Sequence, residues 1–234
     1  MKRYQIAGLK VDMEVSGRTL QQAAAYAVPS EGPADITLTC DERRVIALNP
    51  QITDLDTAQY MGTGAIFARH LLRFDGTYLH ASAVILDGQA YLFSANSGTG
   101  KSTHTEKWCR LFGAKYLNDD KPALRLVDGV WMAYGTPWSG KHDLSSPVGV
   151  PLAGIAFVCR GEENKIRPLS ALEAVPLFMR QSLWKLKDSR QMEVQLALMD
   201  KLMRQIPVWE LTCRNDDEAA QVSYRAMTGG NGGK

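Results

Sequence analysis

The chain has 234 residues, of which 45% are hydrophobic and 22% charged, and its formal net charge is +2. This length suffices for one domain with a buried core, or for a domain with a small appendage, and the composition is typical of a globular protein. The small net charge argues against nucleic acid and against an anionic membrane surface as partners. No apolar run approaches the ~20 residues that a membrane-spanning helix requires, and the first eight residues contain no signal-peptide core.

Four cysteines lie far apart in the sequence, and no two of them have the spacing of metal ligands: Cys40, Cys109, Cys159 and Cys213. Widely separated cysteines in a chain of this kind are usually unpaired core residues. We therefore expect four reduced thiols in a cytoplasmic protein.

The first part of the chain, residues 1–56, is predicted to be a small β-rich accessory segment. Alternation of apolar and polar residues predicts strands at 9–15, 36–40 and 45–48. A short helix is predicted at 19–27, between the first two strands. The larger domain would then occupy residues 57–227, and the glycine-rich tail, 228–234, is expected to fray.

Helical spacing of apolar residues predicts a long helix at 57–72, which opens the larger domain. Two Asp-Gly pairs follow, each between two β-prone runs, and this is the strongest short-range signal of a β-hairpin. Asp87-Gly88 joins 81–86 to 89–93, and a two-residue turn there places His80 opposite Ala95.

The second pair, Asp128-Gly129, joins 123–127 to 130–134. The same counting places Asp120 opposite Pro137, so the loop 137–141 should lie near Asp119 and Asp120. Trp138 in that loop either lines the substrate entrance or packs in the core.

Between the hairpins the sequence predicts a helix at 102–112, ended by Gly113, and then a strand at 115–117 beside the strand at 89–93. Further strands are predicted at 155–159 and 208–211, with mostly helical structure in between and a last helix from Asp216. One face of the helix before the last strand is predicted to be buried, and it carries Met192, Leu196, Met199, Met203 and Ile206.

A glycine-rich segment, Ala95–Ser102, reads Ala-Asn-Ser-Gly-Thr-Gly-Lys-Ser between a predicted strand and a predicted helix. It matches the phosphate-loop pattern Gly-x-x-x-x-Gly-Lys-Ser/Thr, except that Ala95 replaces the first glycine. Backbone N–H groups of such a loop converge on phosphate oxygens, and glycines allow the close approach. The predicted nucleotide-binding residues are Asn96, Ser97, Gly98, Thr99, Gly100, Lys101, Ser102 and Thr103.

Within this loop, Lys101 is expected to reach the β- and γ-phosphates, and the Ser102 hydroxyl to bind Mg²⁺. Asp119 and Asp120 follow the strand at 115–117, whose end should deliver them to the γ-phosphate and the metal. One carboxylate can hold Mg²⁺ and the other can accept a proton from an attacking hydroxyl. The short spacing from Lys101 to Asp119 argues against GTPases, helicases and transport ATPases.

Three elements in order, His80–Val84, the phosphate loop and Leu117–Asp120, resemble the catalytic core of HPr kinase/phosphorylase, which is related to phosphoenolpyruvate carboxykinase. The resemblance implies an α/β fold with a phosphoenolpyruvate carboxykinase-like phosphate-loop core, a mixed sheet and hairpins. Thr103 stands where the bifunctional enzymes usually carry glutamate. The chain is therefore more similar to small stand-alone HPr-kinase-like proteins, some of which modify ribosomally made peptides.

The resemblance also implies roles and partners. Asp119 would act as the base or acid, Asp120 as a metal ligand or the holder of its water, and His80 would assist; the two aspartate roles could be exchanged. Lys141, and with less support Arg160, could stabilise the transferring phosphoryl group. Related enzymes form oligomers, so a homo-oligomer is possible.

The sequence therefore predicts an ATP- and Mg²⁺-dependent kinase that phosphorylates a serine hydroxyl of a peptide or small protein. Two alternatives stay open: a small-molecule kinase, and a regulator that binds ATP without transferring phosphate. Intact Asp119, Asp120 and His80 argue against the regulator.

Overall fold

The computed structural model describes residues 1–182 and 188–229. Its strands are β1 (Lys2–Ile6), β2 (Leu9–Met13), β3 (Ile36–Leu38), β4 (Gly76–Tyr78), β5 (Ala81–Leu86), β6 (Gln89–Ser94), β7 (Lys115–Asn118), β8 (Ala123–Val127), β9 (Val130–Tyr134), β10 (Gly149–Arg160), β11 (Lys165–Pro168) and β12 (Val208–Cys213). Its helices are α1 (Gly17–Ala23), α2 (Glu42–Leu48), α3 (Leu55–Leu71), α4 (Lys101–Phe112), α5 (Ala171–Gln181), α6 (Ser189–Gln205) and α7 (Asp217–Met227). Most of the predicted tail, 230–234, lies outside the described residues.

The fold is α/β, with a nine-stranded mixed sheet in the order β4-β8-β9-β10-β6-β5-β7. The long strand β10 pairs with β6 along one side and with β9 and then β12 along the other, and β11 pairs with β12. Helices pack on both faces. One face buries apolar residues of α5 and α6, and the other buries those of α4 and α7.

Strand directions bring several chain segments to one edge of this sheet. Strands β6, β10 and β12 run parallel, and β7 has the same direction because it is antiparallel to β5, which is antiparallel to β6. The carboxyl ends of these four strands and the amino end of β5 therefore meet at a single edge. Ligand sites in open α/β sheets form at such an edge.

Both predicted Asp-Gly hairpins are confirmed with the predicted register. Leu86 pairs with Gln89 in the first, and Val127 pairs with Val130 in the second. Each turn has two residues with positive φ, as a type I′ turn requires: 49° and 75° at Asp87-Gly88, and 49° and 81° at Asp128-Gly129.

The first three strands form a separate sheet in the order β1-β2-β3. A third hairpin, which the sequence analysis did not predict, joins β1 to β2 through Ala7-Gly8, with φ of 52° and 75°. Apolar residues of this sheet share one hydrophobic cluster with α3 and with Trp138. The division of the chain at residue 56 stays a prediction.

The predicted strand at 45–48 is wrong, because this segment belongs to helix α2. The Asp41 carboxylate caps that helix by accepting the Arg44 backbone N–H at 3.0 Å, and Glu42 adds a favourable negative charge in its first turn. A short run of β-branched and apolar residues is compatible with a strand and with a helix, and here the capping contact favours the helix.

Two further expectations are wrong. The strand at 115–117, now β7, lies beside β5 and not beside the phosphate-loop strand β6, since β5 occupies that position. Leu196 is 42% exposed, whereas Leu198, Met199 and Leu202 of the same helix are buried, so the apolar face of α6 is rotated from the predicted one. The described residues between β10 and β12 are mostly helical, as expected, although the short strand β11 precedes α5.

The cysteines all fall within the described ranges, and each is a free thiol, with Cys213 buried and Cys159 exposed. Among the helices of residues 1–182 and 188–229, none combines the length and the apolar character that crossing a bilayer requires.

Candidate active site

The predicted phosphate loop connects the carboxyl end of β6 to the amino end of α4. Gly98 and Gly100 have φ of 77° and 119°, a conformation that side-chain-bearing residues rarely adopt. Ala95, the residue in place of the first glycine, is buried in the cluster beneath α4, so its methyl group fills space in the core. The substitution is therefore compatible with the loop conformation.

Lys101 is the first residue of α4 and is only 7% exposed. Its ammonium group donates to the carbonyl oxygens of Ala95 at 2.9 Å and Asn96 at 3.4 Å, both within the loop. Burial lowers the pKa of Lys101, and the nearby charges of Asp120 and Asp119 oppose this effect. The ammonium group is thus held inside the loop, where the negative charges of Asp119 and Asp120 also attract it.

Ser102 and Thr103 lie in the first turn of α4, where backbone N–H groups have no helical acceptor. Ser102 is exposed, and both residues line the cleft at the loop. Partial positive charge at a helix amino end favours bound phosphate. The position of these residues fits their predicted contact with a nucleotide.

A turn after β7 carries the two aspartates, and Asn118 builds that turn. The Asn118 side chain is fully buried; its Oδ1 accepts the backbone N–H of Asp120 at 3.0 Å and of Lys121 at 2.7 Å, while its Nδ2 donates to the Thr136 carbonyl at 2.9 Å. Because the Asn118 side chain forms the hydrogen bonds of the turn, the carboxylates of Asp119 and Asp120 are free for other contacts.

Asp119 is oriented by a buried hydroxyl pair. The Ser82 hydroxyl donates to Asp119 Oδ1 at 2.6 Å and lies 2.8 Å from the Thr105 hydroxyl on α4. Ser82 is on β5, the strand that separates β7 from β6. The contact therefore ties the carboxylate to the first turns of the helix that follows the phosphate loop.

Asp120 lies between two basic side chains. The Lys121 ammonium group, on a residue that is 8% exposed, pairs with Asp120 Oδ2, and His80 Nε2 is 3.4 Å from Asp120 Oδ1. The Lys121 ammonium group also lies 5.1 Å from the centre of the Tyr60 ring. The Asp120 carboxylate therefore has a cationic partner, Lys121, inside the protein.

His80 precedes β5, beside the phosphate loop, as the hairpin register predicted. Its backbone carbonyl accepts the Ser94 hydroxyl at 2.8 Å, and its backbone N–H donates to the Gln181 carbonyl at 2.8 Å. Burial, reinforced by the charge of Lys101, lowers the pKa of His80, and Asp120 opposes the shift. Burial therefore favours the neutral form of the imidazole, while the Asp120 carboxylate at 3.4 Å favours the charged form.

The loop 137–141 lies beside the aspartates, as predicted. A Cβ atom at Gly140 would be 3.2 Å from the Asp120 Cβ atom, and Lys141 is exposed and lines the cleft. Trp138 is fully buried and stacks on Phe67 with ring centres 5.1 Å apart, so of its two predicted positions the core is the one found.

A cleft of about 870 Å³ brings these groups together. Its walls contain the loop from Ser97 to Thr103, the catalytic candidates His80, Asp119, Asp120 and Lys141, and the ends of β10 and β12. Arg160, at the end of β10, donates to the backbone carbonyls of Gly98 at 2.6 Å and Thr99 at 3.2 Å. All predicted catalytic and loop residues therefore lie in or beside one cleft.

Sequence reasoning missed the residues that hold this site in place. Lys121 directly follows the aspartate pair, and this adjacency was the only feature of the sequence that pointed to its role. Ser82 lies within the quoted segment His80–Val84, but its contact with Asp119 depends on the pairing of β5 with β7. Arg18 and Tyr60, which contact Gly140, come from segments remote in sequence.

No model of a known protein family matches this sequence, and no curated protein is similar to it. Among solved structures, the fold is similar to the HPr(Ser) kinase/phosphatase from Coxiella burnetii, with a TM-score of 0.40 and 10% sequence identity. The similarity covers 66% of this chain and 99% of that chain. A likeness this distant supports no conclusion about function, which has to rest on the residues of the cleft.

Proposed function

We propose that this protein is an ATP- and Mg²⁺-dependent kinase that transfers the γ-phosphoryl group to a serine hydroxyl of a peptide or small protein. The observation behind the proposal is the meeting of a phosphate-loop sequence with an Asp-Asp pair and a histidine in one cleft. A loop alone would support nucleotide binding. The carboxylates at the neighbouring strand end add the means to accept a proton.

The donor atoms fit a magnesium–nucleotide complex better than a resident metal. In residues 1–182 and 188–229, no cluster of three or more His, Cys, Asp or Glu side chains could hold a metal ion. Mg²⁺ commonly uses one or two carboxylates, a hydroxyl and the phosphates of the substrate. Asp120 and Ser102 would supply the protein ligands, and the bound ion would neutralise charge on the phosphates.

Residues of the chain would then divide the work of transfer. Lys101 would exchange its two loop carbonyls for phosphate oxygens. Asp119, oriented by Ser82, would accept the proton of the acceptor hydroxyl as the new O–P bond forms and the bond to the β-phosphate breaks. Lys121 and His80 would hold the Asp120 carboxylate, and Lys141 would approach the transferring group from the loop beside the aspartates.

The serine acceptor comes from the resemblance to HPr kinase rather than from the cleft itself. The exposed Lys141 and its loop border the part of the cleft that contains the aspartates, and an acceptor would have to enter there.

Incubation with γ-labelled ATP and Mg²⁺, with proteome extract as the source of acceptors, tests the proposal. We expect label on a protein or peptide, stable to conditions that hydrolyse acyl and histidyl phosphates. Lys101→Ala should lose nucleotide binding, whereas Asp119→Asn should retain binding and lose transfer by about 10³-fold, a size typical of removing a general base.

Asp128→Asn offers a matched control for the aspartate change, because Asp128 lies in the exposed turn of the second hairpin. It should retain both binding and transfer. Label found only on a small molecule would replace the peptide acceptor by a metabolite. Lys101-dependent binding without transfer to any acceptor would favour a regulator, and the absence of ATP binding would refute the proposal.

A further inference from the structure

The phosphate loop has a side-chain support on its outer side, and that support comes from Arg160 on the neighbouring strand. β10 pairs with β6 in parallel, with Phe157 opposite Ser94, so continuing the register brings Arg160 alongside the loop. Two of its guanidinium donors are used there: Nη2 on the Gly98 carbonyl at 2.6 Å and Nε on the Thr99 carbonyl at 3.2 Å.

These two contacts fix two consecutive peptide planes of the loop. In a trans peptide the C=O and the following N–H point in opposite directions. The Thr99 N–H belongs to the first plane and donates to the Asn96 carbonyl at 3.2 Å, which closes a turn inside the loop. The Gly100 N–H belongs to the second plane, and no acceptor for it occurs among the described residues. That N–H points away from Arg160 and is available to a phosphate.

Arg160 lies too far from the two aspartates for the role that the sequence suggested, which was to stabilise the transferring phosphoryl group. β10 and β7 are three strand spacings apart in the sheet, roughly 14 Å, and the aspartates follow β7. Arg160 therefore lies at the far side of the loop from the carboxylates. A guanidinium group that already holds two loop carbonyls at this distance is poorly placed to stabilise the transferring phosphoryl group.

We propose that Arg160 is a positioning residue that holds the Gly98–Gly100 peptide planes in the conformation that binds nucleotide phosphates. The proposal rests on the nucleotide binding proposed above and extends it, because it assigns the affinity of the loop partly to a residue outside the loop motif. The planar fork of arginine holds its donors in a fixed geometry, whereas a lysine ammonium group at the end of a flexible stem fixes the directions of two carbonyls less well.

Calorimetric titration with two probes, Mg²⁺–ATP and Mg²⁺–tripolyphosphate, tests this role. Arg160→Ala should weaken both probes by the same factor, about tenfold, since both depend on the loop conformation. Arg160→Lys should weaken them less, and added guanidinium ion should restore part of the affinity of the alanine variant only. Turnover at saturating ATP should change less than threefold.

Arg204→Ala is the control, because Arg204 is exposed, pairs with Asp200 within α6 and is not part of the cleft. It should leave both affinities unchanged. Unchanged affinities in Arg160→Ala would overturn the inference, as would a loss confined to ATP, which would indicate contact with the nucleoside. A fall in turnover with unchanged affinity would overturn it too, in favour of a transfer cation. If the wild type binds neither probe, the proposed function fails together with the inference.

Discussion

The two Asp-Gly hairpins of the large sheet have the same turn and the same two-residue register, yet their open ends are held in different ways. The end of β5–β6 lies inside the sheet, with β10 on one side and β7 on the other. β8–β9 likewise lies between β4 and β10, but the loop that follows β9 leaves the sheet, and helices from the beginning of the chain hold it. The Asp-Gly turn therefore determines the pairing of the two strands that it joins. Contacts with other parts of the chain determine where the open end of each hairpin lies.

Gly140 shows how the second end is held. Its N–H donates to the Tyr60 hydroxyl at 3.0 Å, and its carbonyl accepts the Arg18 guanidinium at 2.5 Å and the Gln22 amide at 2.9 Å. Because Gly140 lies next to Asp120, the first helix of the chain contacts the same backbone that borders this candidate catalytic carboxylate. The comparison predicts that changes at the first hairpin affect nucleotide binding and stability, whereas changes at the second affect transfer.

The largest effect is expected at Asp120. Asp120→Asn should lower transfer by about 10³-fold, because the proposed carboxylate ligand of Mg²⁺ is lost, while nucleotide affinity should change only a few-fold, because the contacts of the phosphate loop remain. It should also destabilise the fold by about 2 kcal/mol, since the Lys121 ammonium group, on a largely buried residue, loses its partner. Urea denaturation and single-turnover transfer measure the two effects.

The double variant Asp120→Asn/Lys121→Met separates these two effects. Removing both charges should restore most of the stability, because no unpaired charge stays buried, while transfer stays low. If the double variant is as unstable as Asp120→Asn, the ion pair is not the source of the lost stability. If Asp120→Asn transfers phosphate at the wild-type rate, the second hairpin does not support catalysis.

The second-largest effect is a dependence of stability on pH, which arises from a buried histidine behind the phosphate loop. His104 on α4 is 4% exposed, and burial lowers its pKa to about 4. Its Nε2 lies 2.9 Å from the Ser223 hydroxyl, which donates to the Ala220 carbonyl and accepts the Trp108 indole N–H, so the imidazole N–H has to point at Ser223.

Because the unfolded chain binds a proton at His104 near pH 6.5 and the folded chain does not, stability should fall as the pH decreases from about 6.5 to about 4. Over that range His104 contributes a loss of about 3 kcal/mol, and the contribution is constant below pH 4. His104→Gln keeps an N–H donor and cannot titrate, so its urea-denaturation midpoint should depend less on pH. Parallel pH profiles of the two proteins would contradict this assignment.

The hairpins and the phosphate loop were predictable because their signals are local. Asp-Gly specifies its turn within two residues, and glycines at 98 and 100 specify the positive φ that the loop needs. The Ala7-Gly8 turn adopts the same conformation without the Asp-Gly signal, and it was missed. Alanine is a poor predictor of positive φ, so this turn is imposed by the pairing of β1 with β2.

The supporting contacts of the site were not predictable, since they join residues far apart in the chain. The placement of β5 between β6 and β7 brings Ser82 to Asp119, and strand order is not encoded in the periodicity of single strands. Arg18 reaches Gly140 across 122 positions of the sequence. Residue type and local spacing identify the candidate catalytic groups, and the packing of remote elements determines which residues hold them in place.

The third prediction compares two glycines directly. Gly140 and Gly88 have φ of 78° and 75°, so alanine at either position should cost about 1 kcal/mol of stability. At Gly88 a Cβ atom would have no neighbour within 4 Å, whereas at Gly140 it would press on Asp120. Gly140→Ala should therefore lower transfer about tenfold, and Gly88→Ala should not change it.

Transfer rates at saturating Mg²⁺–ATP, measured beside denaturation midpoints, check this pair. Equal transfer in both variants would mean that the Gly140 backbone does not position Asp120. Equal losses of transfer would mean that both hairpins support catalysis through stability alone, and the distinction between them would fail.

The smallest effect is expected at Tyr60, whose hydroxyl accepts the Gly140 N–H and whose pKa is raised by burial to about 12. Tyr60→Phe keeps the ring beneath Arg18 and removes the acceptor, so it should destabilise the protein by about 1 kcal/mol and lower transfer a few-fold. Tyr91→Phe in the first hairpin is the matched control, because its hydroxyl makes only a 3.4 Å contact with Gln89 at the outer end of the strand. A loss of transfer in Tyr60→Phe with an unchanged ATP affinity would mean that the helices preceding the sheet tune the catalytic end of the cleft. An equal response of the two variants would mean that the Gly140 loop keeps its position without the hydroxyl, and that the sheet holds both hairpin ends in the same way.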